Sequence, residues 1–192
     1  MSSREEHERL VSRFSSQVMS VNGFFKGVAD VERASDYVKN LALERKAKRV
    51  VLTDEPLVLD LFDKLTMETS LDVASGSTRS REEFFESIRS AQIGVSSVNL
   101  AVADTGTLII STSDELNRLV TALPEVHVAI VPSSKLVSSL EDAGKYLSQE
   151  TTKANGPVTV SLISSSSRTS DVGGMVILGV HGPKELHVLL LG

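Results

Sequence analysis

The chain has no cysteine and no tryptophan among its 192 residues, and its aromatic complement is two Tyr and six Phe. Without thiols it can form no disulfide, no thiol nucleophile and no iron-sulfur or Cys-zinc centre of its own, so any such cluster must belong to a partner. Apolar runs reach only about four residues, as at Val188-Leu189-Leu190-Leu191, against the roughly 18 that a membrane helix requires. Positive charge is not in excess, with 20 Lys and Arg against 25 Asp and Glu and a formal net charge of −5. There is therefore no electrostatic basis for general nucleic-acid binding, and few rings on which single-stranded bases would stack. The opening Met1-Ser2-Ser3-Arg4-Glu5-Glu6-His7-Glu8 is polar and partly acidic, unlike the basic start and apolar core of a secretory signal, so a cytoplasmic protein is expected.

What is present suits one globular unit: 41% hydrophobic and 23% charged residues, with 12 Gly and 5 Pro. Leu10, Val11, Phe14 and Val18 lie on one face of a helix over about residues 5–20. A second helix over about 31–47 runs into the basic Arg45-Lys46-Ala47-Lys48-Arg49, where cations meet the negative end of the helix dipole. Beyond it, strands alternate with helices. Arg49 to Thr53 reads as a strand, Pro56 opens a helix, Leu71 to Ala74 is strand-like, and Ser80-Arg81-Glu82-Glu83 is a capping box. Strands at 99–103 and 107–110, a helix at about 114–121, a strand at 126–131, a helix after Ser133 and a strand at 158–163 follow. The last two strands, at 175–179 and 186–191, read as a hairpin. The pattern predicts an α/β fold, a mostly parallel sheet with helices on both faces and antiparallel strands near the end. Residues 1–48 form an N-terminal helical segment packed on the core, and residues 49–192 form a single α/β unit.

Ligands of such sheets usually sit outside the carboxyl ends of strands, and three loops carry polar residues. Asp104-Thr105-Gly106-Thr107 reads equally as a tight turn and as a site. The helix-rich pattern argues against an aspartic-protease role for its triplet. In Ser164-Ser165-Ser166-Ser167-Arg168-Thr169-Ser170-Asp171, hydroxyls, backbone amides and the fork of Arg168 suit a carboxylate or phosphate. A helix-capping serine loop is the ordinary alternative, and neither a P-loop nor a dinucleotide fingerprint is present. In the third loop, Gly179 to His187, His181 beside a carboxylate would shuttle protons, or else it is a plain turn residue next to Gly182-Pro183. His127 and His187 sit in apolar strands and read as structural. The four His have no i, i+4 spacing, which offers no metal site.

The segments Ala101 to Leu108, Leu123 to Pro132, Ser167-Arg168-Thr169-Ser170-Asp171 and Leu178 to Val188, in this order and spacing, resemble the lactate-utilisation (LUD) domain family. The family often has Glu-Thr-Gly where Asp104-Thr105-Gly106 stands here. The resemblance implies a fold similar to the sugar-phosphate isomerase, deaminase and coenzyme A transferase group. It further implies a subunit acting with iron-sulfur partner proteins in oxidising L-lactate to pyruvate, with no cofactor in this chain. Asp104, Glu185 and His181 are then the candidate catalytic residues. Thr105, Gly106, Thr107, Ser167, Arg168, Thr169, Asp171, Gly182 and Lys184 are the candidates for holding a small carboxylate or phosphate. The rival reading is a free-standing isomerase or acyl-transferase using Asp104 or Glu185, although fold likeness alone says little about reaction type.

Overall fold

A computed structural model describes residues 2–68, 70–153, 156–172 and 175–192, with side chains for all of these except residues 62, 67, 68, 151, 153, 170–172 and 175–177. The α-helices among these residues are α1 (Ser3–Ser20), α2 (Val31–Glu44), α3 (Pro56–Glu68), α4 (Arg81–Ser90), α5 (Glu115–Val120) and α6 (Leu140–Lys153). The strands are β1 (Phe24–Val28), β2 (Arg49–Leu52), β3 (Asp72–Ser75), β4 (Ile93–Ser97), β5 (Leu100–Val102), β6 (Thr107–Thr112), β7 (Val126–Pro132), β8 (Leu136–Val137), β9 (Thr159–Ile163), β10 (Arg168–Val172), β11 (Met175–Leu178) and β12 (Glu185–Leu191).

The helix starts follow their sequence signals. Ser80 and Glu83 close the expected capping box, and Ser2 and Glu5 close a second one. Asp30 accepts the Arg33 amide at the start of α2.

The central sheet has six strands in the order β1-β12-β7-β4-β2-β3, and every pairing in it is parallel. The strand order departs from the sequence expectation in two places. Phe24–Val28, within the N-terminal segment read as helical, is a strand at the sheet edge beside β12. β12 does not form a hairpin with the strand before it. It lies between β1 and β7, while β11 pairs with β10 in a separate two-stranded sheet. The reason is burial. Leu186, Val188, Leu189 and Leu190 are all buried, and a strand apolar on both faces is stable only inside a covered sheet.

A second sheet, β8-β5-β6-β9, pairs β5 with β6 and β6 with β9 antiparallel and adds β8 to β5 in parallel. The stripe expected as a helix after Ser133 begins instead with a short 3-10 turn at Ser133–Lys135 and β8, so α6 starts only at Leu140.

Strand alternation sends residues to two different cores. Val126, Val128, Ile130 and Leu189 face α2 and α3, with Val38, Leu41, Leu61 and Leu65. Ala129, Val131, Leu186, Val188 and Leu190 face the second sheet, and α1 seals this space with the fully buried Phe14 and with Val18. On the same side, α4 and α5 cover β2 and β3, and α6 covers the outer face of the second sheet. Among the described residues, no helix is long and apolar enough to cross a membrane.

Because Phe14 touches both sheets' shared core and has an edge contact to Phe25 of β1 at 6.0 Å, Phe14→Ala is expected to cost about 3–5 kcal/mol in urea unfolding. A loss below about 1 kcal/mol would show that α1 does not seal this core.

Candidate functional site

A cleft of about 490 Å³ opens between the face of the central sheet and the edge of the second sheet. Its floor is His127 of β7 and Leu186 of β12, one wall is the end of α5 with Arg118, Thr121 and Ala122, and the other runs from Ser161 to Arg168. His181, Gly182 and Pro183 complete the rim. His127 and Leu186 are each the second residue of their strand. The cleft therefore lies beside the amino ends of β7 and β12, not beyond the carboxyl ends where the sequence reading looks for ligands. Two connections converge there, the 164–167 loop and the 179–184 loop.

Ser167 splices those loops. Its amide donates to the Pro183 carbonyl at 2.8 Å, its carbonyl accepts the Gly179 amide at 2.9 Å, and its Oγ accepts the His181 amide at 3.3 Å. Lys184 anchors the far end: its Nζ donates to Glu125 at 2.7 Å and its amide to the Glu125 carbonyl at 2.7 Å. The Arg168 guanidinium lines the cleft and donates to the Val21 carbonyl after α1. Arg118, on the opposite wall, forks onto Glu115 one turn earlier.

The candidates named from sequence divide among three places. Ser167, Arg168, His181 and Gly182 line the cleft, and Thr169 follows in β10. The Asp171 side chain lies outside the described residues. Thr105 donates to Thr107 at 2.7 Å, and the Thr107 hydroxyl lies 2.9 Å from that of Ser164, so these two reach the cleft wall through a chain of hydroxyls. Gly106, at φ +68°, turns the chain beneath Gln17 and Val18 of α1, where a side chain would crowd the α1 backbone. Asp104 leaves the cleft altogether: its Oδ1 lies 3.0 Å from Arg13 Nη1 of α1.

Glu185 is separated from the cleft by the sheet itself. It points to the α2 face, where it accepts from Arg45 at 2.9 and 3.2 Å and lies 3.0 Å from His187 Nε2. Burial pushes its carboxyl up, but the bonds from His187 and Arg45 outweigh this, and it is held below the usual carboxylate range. His187 is buried, with Tyr37 Oη 2.8 Å from Nδ1 and Phe24 stacked on its ring at 4.4 Å. Burial pushes its imidazole down, against the pull of Glu185. Arg45, the first cation of the run after α2, thus clamps Glu185, and Arg49 pairs with Asp72 of β3. Among the described residues, none that lines the cleft is a carboxylate.

Sequence reasoning did not single out Gly94 and Ser96 as site residues, and it read His127 as core only. Gly94 pairs with His127 across β4 and β7, and a Cβ there would meet the Val120 carbonyl at 2.0 Å. A side chain at 94 would push the end of α5 away from the cleft. His127 is 1% exposed, and its Nε2 lies 2.9 Å from the buried Ser96 hydroxyl. Burial, with the charge of His187 adding, pushes the His127 imidazole down to about 4, so it is neutral at physiological pH. Its Nδ1 has no hydrogen-bond partner among the described residues. The strand position of His127 accounts for its burial, but only the register with β4 and the folding of the 179–184 loop put it on a cleft floor. Among the described residues no group of three or more His, Asp or Glu is placed to hold a metal ion.

The arrangement is a pocket of hydroxyls and a neutral imidazole with two guanidinium groups at its walls, suited to a small anion. The LUD domain model matches residues 11–191. The chain belongs to the LUD domain family. This LUD domain is 26% identical over 178 residues to Lactate utilization protein C of Shouchella clausii, covering 92% of this chain and 76% of that one. It is 25% identical over 182 residues to the protein of the same name from Halalkalibacterium halodurans, covering 93% and 78%. The Bacillus subtilis protein of that name matches over 113 residues at 29% identity, 57% of this chain and 46% of that one. Among solved structures, a DUF162 family protein from Deinococcus radiodurans superposes with a TM-score of 0.67 at 18% identity, over 97% of this chain and 98% of that one. That likeness fixes the α/β architecture of the LUD domain.

The buried histidines set a pH dependence. In the unfolded chain they take up protons near pH 6.5, and in the folded chain only at lower pH, so stability is full above about 6.5 and falls as pH drops toward about 4. His127 alone is expected to remove about 2 kcal/mol between about pH 7.5 and pH 5, read by urea unfolding. If His127→Gln keeps the whole of that loss, the buried neutral His127 is not its source.

Proposed function

We propose that this LUD domain is a component of a lactate-utilisation system and that its cleft binds the carboxylate of lactate or of pyruvate. The observation that carries the reading is the cleft wall itself: Arg118, Arg168, five serines and His127, with no carboxylate among the described lining residues. The relatives named Lactate utilization protein C, matched over more than nine-tenths of this chain, supply the substrate class. Arg168 is the intended carboxylate fork, steadied by its bond to Val21. Ser167 shapes the loop that presents it.

Oxidising lactate to pyruvate removes an electron pair and a pair of protons from the hydroxyl-bearing carbon and its oxygen. This chain has no cysteine to hold an electron carrier. We therefore assign the electrons to iron-sulfur partner subunits and assign this chain the carboxylate. On the same reading the system is cytoplasmic, where a reducing medium keeps cluster thiolates intact. The likeness to the sugar-phosphate isomerase, deaminase and coenzyme A transferase group is part of this proposal at the level of fold. The free-standing isomerase or acyl-transferase alternative needs Asp104 or Glu185 as base, and neither lines the cleft.

Calorimetry of the whole chain with lactate, pyruvate and a sugar phosphate is expected to show carboxylate binding that Arg168→Ala weakens about tenfold or more. Equal affinities in the two proteins would remove Arg168 from the site, and preference for the sugar phosphate would favour the isomerase alternative. A tagged chain purified from its own cells is expected to bring down iron and lactate-dependent dye reduction. A clean, iron-free, inactive preparation would count against a stable complex.

A further inference from the structure

His127 presents a chemical imbalance that its role in the core does not resolve. The ring lines the cleft, its Nε2 is turned to Ser96 of the neighbouring strand, and its buried Nδ1 has no partner among the described residues. A buried imidazole nitrogen without a partner is costly, and native structures keep such atoms rarely. Ser96 decides which kind of nitrogen it is. The Ser96 side chain is fully buried, and among the described residues His127 is the one hydrogen-bond partner of its Oγ. If Nε2 carried the proton, the Ser96 hydroxyl hydrogen would itself be buried without an acceptor. With Ser96 donating to Nε2, that hydrogen is satisfied, and the proton of the neutral ring sits on Nδ1.

We propose that the Nδ1–H of His127 is the floor donor of the cleft, made to bond a carboxylate oxygen of a small organic acid. Ser96 acts as a positioning residue that fixes the tautomer. The inference rests on reading the cleft as a small-carboxylate site and adds the atom that holds the acid. It also explains the division of the walls. Arg118 is forked onto Glu115 and attracts the anion from the wall, Arg168 gives one N–H to Val21 and keeps the rest of its fork for the carboxylate, and the His127 Nδ1 has no competing acceptor among the described residues. An uncharged donor in a dry floor, beside the aliphatic Leu186 and Ile163, suits an acid with a short apolar end better than a heavily hydrated phosphate.

The test uses the full chain labelled with nitrogen-15 in histidine, titrated in turn with pyruvate, L-lactate and inorganic phosphate. The expected result is a His127 ring spectrum with the proton on Nδ1, and a shift of that resonance on adding pyruvate or lactate with little response to phosphate. By calorimetry His127→Gln is expected to lose about ten- to hundredfold in pyruvate affinity. Ser96→Ala, which frees the tautomer, is expected to lose a few-fold while His127 stays neutral. If wild type binds either acid but the Nδ1–H resonance does not move, or if His127→Gln binds as well as wild type, the inference falls and the cleft reading stands. Absence of acid binding in wild type would overturn both. The wild-type resonance needs no variant, so the outcome does not hang on His127→Gln folding.

Discussion

The parallel ladder that holds β12 between β1 and β7 is the constraint on which the rest of the molecule depends. It runs from Glu185 opposite Val126 to Leu191 opposite Pro132 on one side, and from His187 opposite Phe24 on the other. Because side chains alternate along a strand, this one register sends Glu185 and His187 to the α2 face and Leu186 to the cleft. A slip of one residue would exchange them, putting a carboxylate on the cleft floor and a leucine against Arg45. The sheet is thus a partition, and two neighbouring residues of one motif serve two unrelated purposes.

On the α2 face the polar groups satisfy one another. His187 meets Tyr37, Glu185 and the ring of Phe24, and Glu185 meets Arg45 as well. This network ties α2, the edge strand and β12 together at the sheet's amino end, which explains why a Glu and a His in the last recognisable motif need not be catalytic. The other face differs in one respect. There the loops, not the helices, finish the hydrogen bonding, and Ser167 closes one loop upon the other through main-chain bonds.

Much of this was legible in the sequence where local physics decides. The capping box at Ser80 and Glu83, the stripe of Phe14 and Val18, and the strand-helix alternation through β2, α3, β3 and α4 all rest on contacts a few residues apart. β1 was not legible, because Phe24-Phe25-Lys26-Gly27-Val28 is too short and mixed to declare itself and is a strand through pairing with a segment more than 150 residues later. The hairpin expectation for the last two strands failed for the related reason that adjacency in sequence favours antiparallel pairing, while two-sided burial of β12 favours insertion. Among site residues, Arg168, Ser167 and His181 declared themselves as polar groups in loops. Asp104 did so equally and is turned away, because the turn that presents it is pressed against α1.

The two buried histidines show what such a reading cannot weigh. Both occupy apolar strands, both are held neutral by burial, and nothing in their immediate sequence separates them. What separates them is the count of partners. His187 has a partner at each nitrogen and so is complete within the fold, whereas among the described residues His127 has one at Nε2 alone. A protein that needed His127 only to fill space could carry apolar residues at both 96 and 127, since replacing both members of a buried polar pair can be nearly neutral. Keeping the imidazole, and keeping Gly94 opposite it so that α5 can end beside it, makes physical sense when the remaining nitrogen has something to hold.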